Sequence, residues 1–194
     1  QAAKYFQQHC KGKIAVITAT SDSELVKEAD FVLSIDSAQE ISMAQTRSFT
    51  SMIIQLQALA GAFSGQDTSV LDALPEIGSR LLADYADLAR QLGEDTSFKQ
   101  FVFLGSGVLY GLACEAMLKM LEISLVPSLA FHALEFLHGP RYIVREQMPT
   151  LLIGLVSDDI FNEEIAALKQ AHERGAKILA TVEDRMGSDI GEWS

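Results

Sequence analysis

The stretch Phe101-Val102-Phe103-Leu104-Gly105-Ser106-Gly107 limits the fold more than any other part of the sequence. Its short apolar run reads as a buried strand. The glycines that follow admit positive φ and let a neighbouring group approach the backbone. Leu109, Leu112, Ala113, Ala116, Met117, Met120 and Leu121 then recur at helical spacing. Strand, Gly-rich turn and helix in succession make one crossover of a parallel sheet, with a helix N-terminus that suits an anion. Ser106 is therefore a candidate ligand contact. The apolar run at 13–19 reads as a buried parallel strand, and those at 31–35, 150–156 and 176–182 as further strands. The expected fold is α/β, with 101–104, 150–156 and 176–182 parallel in one sheet and the 108–122 helix packed on it.

Glu115, Lys119 and Glu122 interrupt the apolar helix at i, i+4 and i+7. At about 100° per residue they fall within roughly 60° of one another. Gly111 adds a position without a side chain to that face, so a ligand has room there. A solvated Glu–Lys–Glu ladder, at about 0.2–0.5 kcal/mol per pair, accounts for the same spacing. Spacing leaves both readings open. Further on, 130–137 reads as a short helix stopped by His138-Gly139-Pro140. That puts His138 at a helix C-terminus, the end that attracts positive charge. His132 is expected to pack or hydrogen-bond on the same short helix.

Glu115-Ala116-Met117-Leu118-Lys119-Met120-Leu121-Glu122-Ile123-Ser124, followed by Glu135-Phe136-Leu137-His138-Gly139-Pro140, resembles the sugar isomerase (SIS) domain family. The resemblance is strongest to members that isomerise or deaminate hexosamine 6-phosphates. It implies three-layer αβα units with parallel sheets. Residues 1–62 would be the rear part of a first SIS unit shortened at its N-terminus, 63–97 a linking helix, and 98–194 the second unit. It also implies aldose–ketose isomerisation or deamination of a hexose or hexosamine 6-phosphate through an enediol, with no cofactor and no metal. Glu122 would transfer the proton, and His138, reaching in from a neighbouring subunit of a homodimer, would open the ring. Lys119 would stabilise the enediolate and Glu115 would orient Lys119. Met43, Gln45 and Thr46 fall where the family touches the sugar.

Several positions depart from the family pattern. Arg47 stands where Lys is common, and Leu121 and Leu137 replace basic residues. Arg141-Tyr142 follows Pro140 where small or apolar residues are usual. The family's Ser/Thr-rich phosphate loop would lie upstream of residue 1. A deglycase acting on 6-phosphorylated fructosamines and a non-catalytic phosphosugar sensor belong to the same family. Retention of Glu122 and His138 favours an enzyme over the sensor.

The rest of the chain reads as connection. Ser21-Asp22-Ser23-Glu24 has the form of a capping box for a short helix. Hydroxyls and amides crowd 37–50, where a helix start leaves N–H groups unpaired; they serve as caps or as ligand contacts. That helix closes at Gly61. A single helix from Pro75 buries Ile77, Leu81, Tyr85, Leu88 and Leu92. Ser157 or Asp158 caps the next helix, whose Ile165, Leu168 and Ala171 face the sheet.

With 15 Lys+Arg against 26 Asp+Glu, the net charge of −11 argues against a nucleic-acid or anionic-membrane partner. A local phosphosugar site remains compatible with it. Cys10 and Cys114 are far apart and fit reduced cytoplasmic thiols. His9, His132, His138 and His172 have no zinc-ligand spacing.

Overall fold

The computed structural model describes residues 1–182. Trp193, for which the sequence suggests no role, lies outside them. The chain forms two compact units, Gln1–Leu88 and Ala89–Ser194.

In the first unit, helix α1 (Ala2–His9) precedes strand β1 (Ala15–Thr18), which pairs in parallel with β2 (Phe31–Ser34). Between the strands a 3-10 turn covers Val26–Glu28, and no side chain caps it. The expected capping box is not formed, because backbone bonds such as Val26 N–H to Ser23 C=O close the turn directly. Helix α2 (Arg47–Ser64) packs on β1. It runs past Gly61 and stops where Gly65 takes φ 68°. Gly61 is instead a packing position: a Cβ there would lie 2.2 Å from Thr68 Cγ2.

The single helix expected from Pro75 is broken at Tyr85 into α3 (Leu74–Asp84) and α4 (Ala86–Glu94). Ile77, Leu81, Tyr85 and Leu88 are exposed rather than buried. Helical spacing marks an apolar face, but only a packed neighbour can cover it.

The second unit is a four-stranded parallel sheet in the order β4-β3-β5-β6. The strands are β3 (Gln100–Gly105), β4 (Ser128–His132), β5 (Thr150–Leu155) and β6 (Lys177–Thr181). The three strands expected as parallel neighbours are so. Residues 130–132, by contrast, read as the start of a short helix and form the end of strand β4 instead. Their propensity suits either state, but β3 carries backbone groups that need partners. Phe101 N–H bonds to Pro127 C=O at 2.9 Å, and the register runs from Phe101↔Ser128 to Gly105↔His132. Only 133–137 remain helical, as α6 (Ala133–Leu137).

Glycines show which side chains face which layer. A Cβ on Gly105 would stand 2.6 Å from the Leu109 carbonyl oxygen. Residues 101, 103 and 105 therefore face α5 (Val108–Ser124). A Cβ on Gly154 would meet Leu168 Cδ2 at 2.6 Å, so 152 and 154 face α7 (Phe161–Glu173). The main core joins Val102, Leu104 and Leu152 to Phe136 of α6 and to Ile165, Leu168 and Ala171 of α7. The unit is thus a three-layer sandwich, α5 on one face and α6 with α7 on the other.

Helix α7 is not capped by Ser157 or Asp158. Glu164, from the helix itself, reaches back and accepts the Ser157 N–H at 2.6 Å. The same oxygen accepts the Ser157 hydroxyl at 3.2 Å, so the serine donates to the helix's carboxylate and ties the preceding loop to α7.

Candidate active site

The sequence places the polar face of α5 near its C-terminal end, and the structure holds it together tightly. Lys119 Nζ lies 2.6 Å from Glu122 Oε2 and 3.6 Å from Glu115 Oε1. The Lys119 and Glu115 side chains are only 18% and 20% exposed, and that of Glu122 is 36%. A freely solvated ladder would leave all three far more open. The hydrogen bond to Glu122, together with the charges of both carboxylates, holds the Lys119 amine above its ordinary range against the opposing effect of partial burial. The face therefore presents a fixed cation between two carboxylates. Such a group can abstract a proton at one end while an adjacent positive charge meets the anion that forms.

His138 terminates α6 and is exposed, with its N–H bonded to Glu135 C=O at 3.0 Å. A 3-10 turn, Pro140–Ile143, follows. It is tied to the sheet by a buried polar pair that periodicity does not reveal. Gln100 Nε2 donates to Ile143 C=O at 3.0 Å and to Thr150 Oγ1 at 2.7 Å. Both residues are nearly inaccessible. His138 and Glu122 belong to opposite layers of the sandwich.

Ser106 occupies the turn at the other end of α5, where its carbonyl accepts the Leu109 N–H at 3.0 Å. The helix separates Ser106 from Glu122 by about 20 Å, at 1.5 Å per residue. One sugar does not touch both. His132 ends β4 rather than sitting on a helix, and its ring stacks on Tyr110 at 3.9 Å between centroids.

In the first unit, Met43 is 97% exposed, and Gln45 and Thr46 are also exposed. The donors expected to be free at the start of α2 are already taken. Glu40 accepts the Thr46 N–H at 2.9 Å, the Ser48 N–H at 2.8 Å and the Ser48 hydroxyl at 2.8 Å. Those bonds, the Ser48 N–H first, hold its carboxyl down at about 2 against the effect of partial burial. Arg47 donates to Gln39 C=O at 2.6 Å. The signal for this cap is an acidic residue shortly before Thr and Ser at a helix start, with the acid on the far side of a loop. A hollow bordered by α1 and β1, lined by Tyr5, Phe6, Cys10 and Lys13, holds none of the candidate catalytic groups.

Residues 96–191, which include Glu115, Lys119, Glu122 and His138, match the SIS domain family. That segment is a SIS domain. Around it, the chain is 29% identical over 196 residues to glutamine–fructose-6-phosphate aminotransferase (isomerizing) of Agrobacterium fabrum, an alignment covering 95% of this chain and 32% of that protein. The chain spans about a third of the length of such curated relatives. Glucosamine-6-phosphate deaminase from Thermotoga maritima matches with a TM-score of 0.80 and 27% identity, over 94% of this chain and 56% of that one. The C-terminal domain of glucosamine-fructose-6-phosphate aminotransferase from Francisella tularensis superposes with a TM-score of 0.85. It covers 96% of this chain and 55% of that one at 22% identity, so this likeness concerns the fold alone. Among the described residues, the SIS domain and the unit before it hold no cluster of metal-ligating side chains, and no helix is long and apolar enough to cross a membrane.

Proposed function

We propose that this chain carries the isomerase chemistry of a phosphosugar enzyme acting on a hexose or hexosamine 6-phosphate, with or without release of ammonia. The observation that carries the reading is the Lys119 amine bridging Glu122 and Glu115 inside a segment of SIS sequence. Relatives named for fructose 6-phosphate and glucosamine 6-phosphate support the substrate class.

Glu122 takes the proton from one carbon and returns it to its neighbour. The enediolate that forms carries its negative charge next to Lys119, whose position Glu115 holds. Preorganised charge of this kind contributes in the transition state more than in the ground state. His138 exchanges protons with the ring oxygen and the anomeric hydroxyl to open the ring. It is supplied by a second copy of the chain in a homodimer, since the His138 of the same chain stands on the opposite face of the sheet from Glu122. Met43, Gln45 and Thr46 contact the sugar, through side chains and carbonyls rather than through the N–H groups that Glu40 occupies. Ser106 serves a separate contact at the carboxyl end of β3. The free thiols of Cys10 and Cys114 suit a reducing cytoplasmic setting.

The test is solvent-deuterium incorporation at C1/C2 of fructose 6-phosphate and glucosamine 6-phosphate by the full-length protein, with ammonia measured in parallel. Exchange that is lost in Glu122→Gln supports the reading. A wild-type protein that binds these sugars and exchanges nothing refutes it in favour of a sensor.

A further inference from the structure

The turn that follows His138 departs from the family pattern at Arg141-Tyr142, and the chemistry proposed above makes no use of either residue. Both are joined by Arg174 from just beyond α7. The Arg174 guanidinium carbon lies 4.5 Å from the centroid of the Tyr142 ring, and that of Arg141 lies 5.2 Å from it. Two cations are therefore gathered around one phenol. Each is held by a bond that leaves part of its fork unused. Arg141 Nη1 donates to Gln170 Oε1 at 2.6 Å, and Nη2 makes only a long 3.5 Å contact with the Tyr142 hydroxyl. Arg174 Nε donates to Arg141 C=O at 3.1 Å, and among the described residues its Nη groups make no hydrogen bond. Among the described residues, neither guanidinium forms an ion pair with a carboxylate. Tyr142 itself is 59% exposed.

The two guanidinium carbons are thus at most about 10 Å apart, and like charges gathered at one ring repel unless something negative answers them. A chain with a net charge of −11 has many carboxylates with which to do so, yet none of those described pairs with either arginine. We propose that Arg141, Tyr142 and Arg174 form an oxyanion-binding site that takes the phosphate or carboxylate group of a small ligand. Guanidinium forks match the geometry of either group, and charge-assisted bonds of this kind are the strong ones. The phenol adds a neutral donor beside them. The Arg141 hydrogen bond, then the charges of Arg141 and Arg174, already hold the Tyr142 phenol below its ordinary range. An anion seated on the pair cancels that effect.

His138 precedes Arg141 by three residues, so their Cα atoms are at most about 11 Å apart. The proposed site therefore lies on the same short segment as that imidazole. This makes the site a selector for substrates carrying a suitably placed acidic group, a role that rests on the function proposed above. The anion binding itself does not.

The experiment reads the site directly in the full-length protein at low ionic strength. The Tyr142 Cζ resonance, assigned with Tyr142→Phe, is followed by NMR during titration with inorganic phosphate and, separately, with malonate. The expected result is a saturable shift, with the phenol titrating at higher pH in the bound state. Arg174→Gln should require roughly tenfold more anion or beyond, the loss of one charge-assisted bond. Arg174→Lys should fall between the two, because it keeps the charge and loses the fork. Response to phosphate alone marks a phosphate site, and response to malonate marks a carboxylate site; either supports the proposal. No saturable shift in the wild type, or an unchanged midpoint in a folded Arg174→Gln protein, overturns it. Glu122→Gln should leave the titration unchanged. Arg174-dependent binding in a protein that turns over no sugar phosphate would sink the proposed function and leave this site standing. Turnover without such binding would do the reverse.

Discussion

Glu122 and His138 stand on opposite faces of the same four-stranded sheet. Glu122 is on α5, which covers the side carrying residues 101, 103 and 105. His138 ends α6, whose Phe136 packs with Val102 and Leu104 on the other side. A base and a ring-opening acid that serve one sugar must lie within hydrogen-bond reach of it together. Two copies of the chain can satisfy that requirement where one copy with its sheet between the groups does not.

Mixing two inactive variants tests this sharing. Glu122→Gln and His138→Asn should each be nearly inactive alone. After dissociation and statistical reassociation, half of the dimers combine one copy of each and contain one intact site. Recovery should approach roughly a quarter of the wild-type rate for a symmetric dimer. No recovery from subunits shown to exchange would place both groups in one chain's site.

Glu122→Gln keeps size and polarity but cannot act as a base. Loss of general-base catalysis should lower the exchange rate by roughly 10²–10⁴-fold, with substrate binding retained. His138→Asn should slow turnover of the closed-ring sugar more than that of a substrate already open. Deuterium exchange in Glu122→Gln at the wild-type rate would assign the base elsewhere.

Glu40 makes a pH-dependent contribution to stability. Its carboxyl is lowered from 4.5 to about 2 in the folded chain, so its contribution is fully present above 4.5 and is lost as the pH falls through about 2. Glu40→Gln should therefore unfold at a lower temperature than wild type near neutral pH, and the gap should close in strong acid. Thermal melts across that range check it; a gap independent of pH would mean that the charge is not what caps α2. Lys119 has the opposite sign. Its amine is raised above 10.5, so its ion pairs contribute fully below that pH and are lost as the pH rises through the folded value.

Gly105→Ala should disrupt the junction that aims α5. The added Cβ would meet the Leu109 carbonyl oxygen at 2.6 Å, and backbone in the turn has little room to yield. The expected cost is about 1–3 kcal/mol in urea unfolding. Gly111→Ala, with nothing within 4 Å of its Cβ, is the control. Equal stability of the two variants would contradict the close approach.

Much of the second unit was legible in the chain itself. Apolar runs without alternation indicated strands, and the helix stretches between 101–104, 150–156 and 176–182 indicated parallel crossovers. The spacing of Glu115, Lys119 and Glu122 placed them together, because helical periodicity is local and constant. Tertiary structure decided what no local pattern encodes. Residues 130–132 became the end of a strand because β3 offered them an edge. Gly61 proved to be a contact with Thr68 rather than a helix end. Glu40 took the N–H groups that nearby hydroxyls were expected to serve, and Ser157 became a donor to Glu164 rather than a cap. The same holds for the burial of Lys119, the opposite faces of Glu122 and His138, and the meeting of Arg174 with Tyr142. Each depends on contacts made beyond one element's own repeat, across a loop or between segments distant in sequence, which are set by the backbone ladder and by packing and which a periodicity within one segment cannot specify.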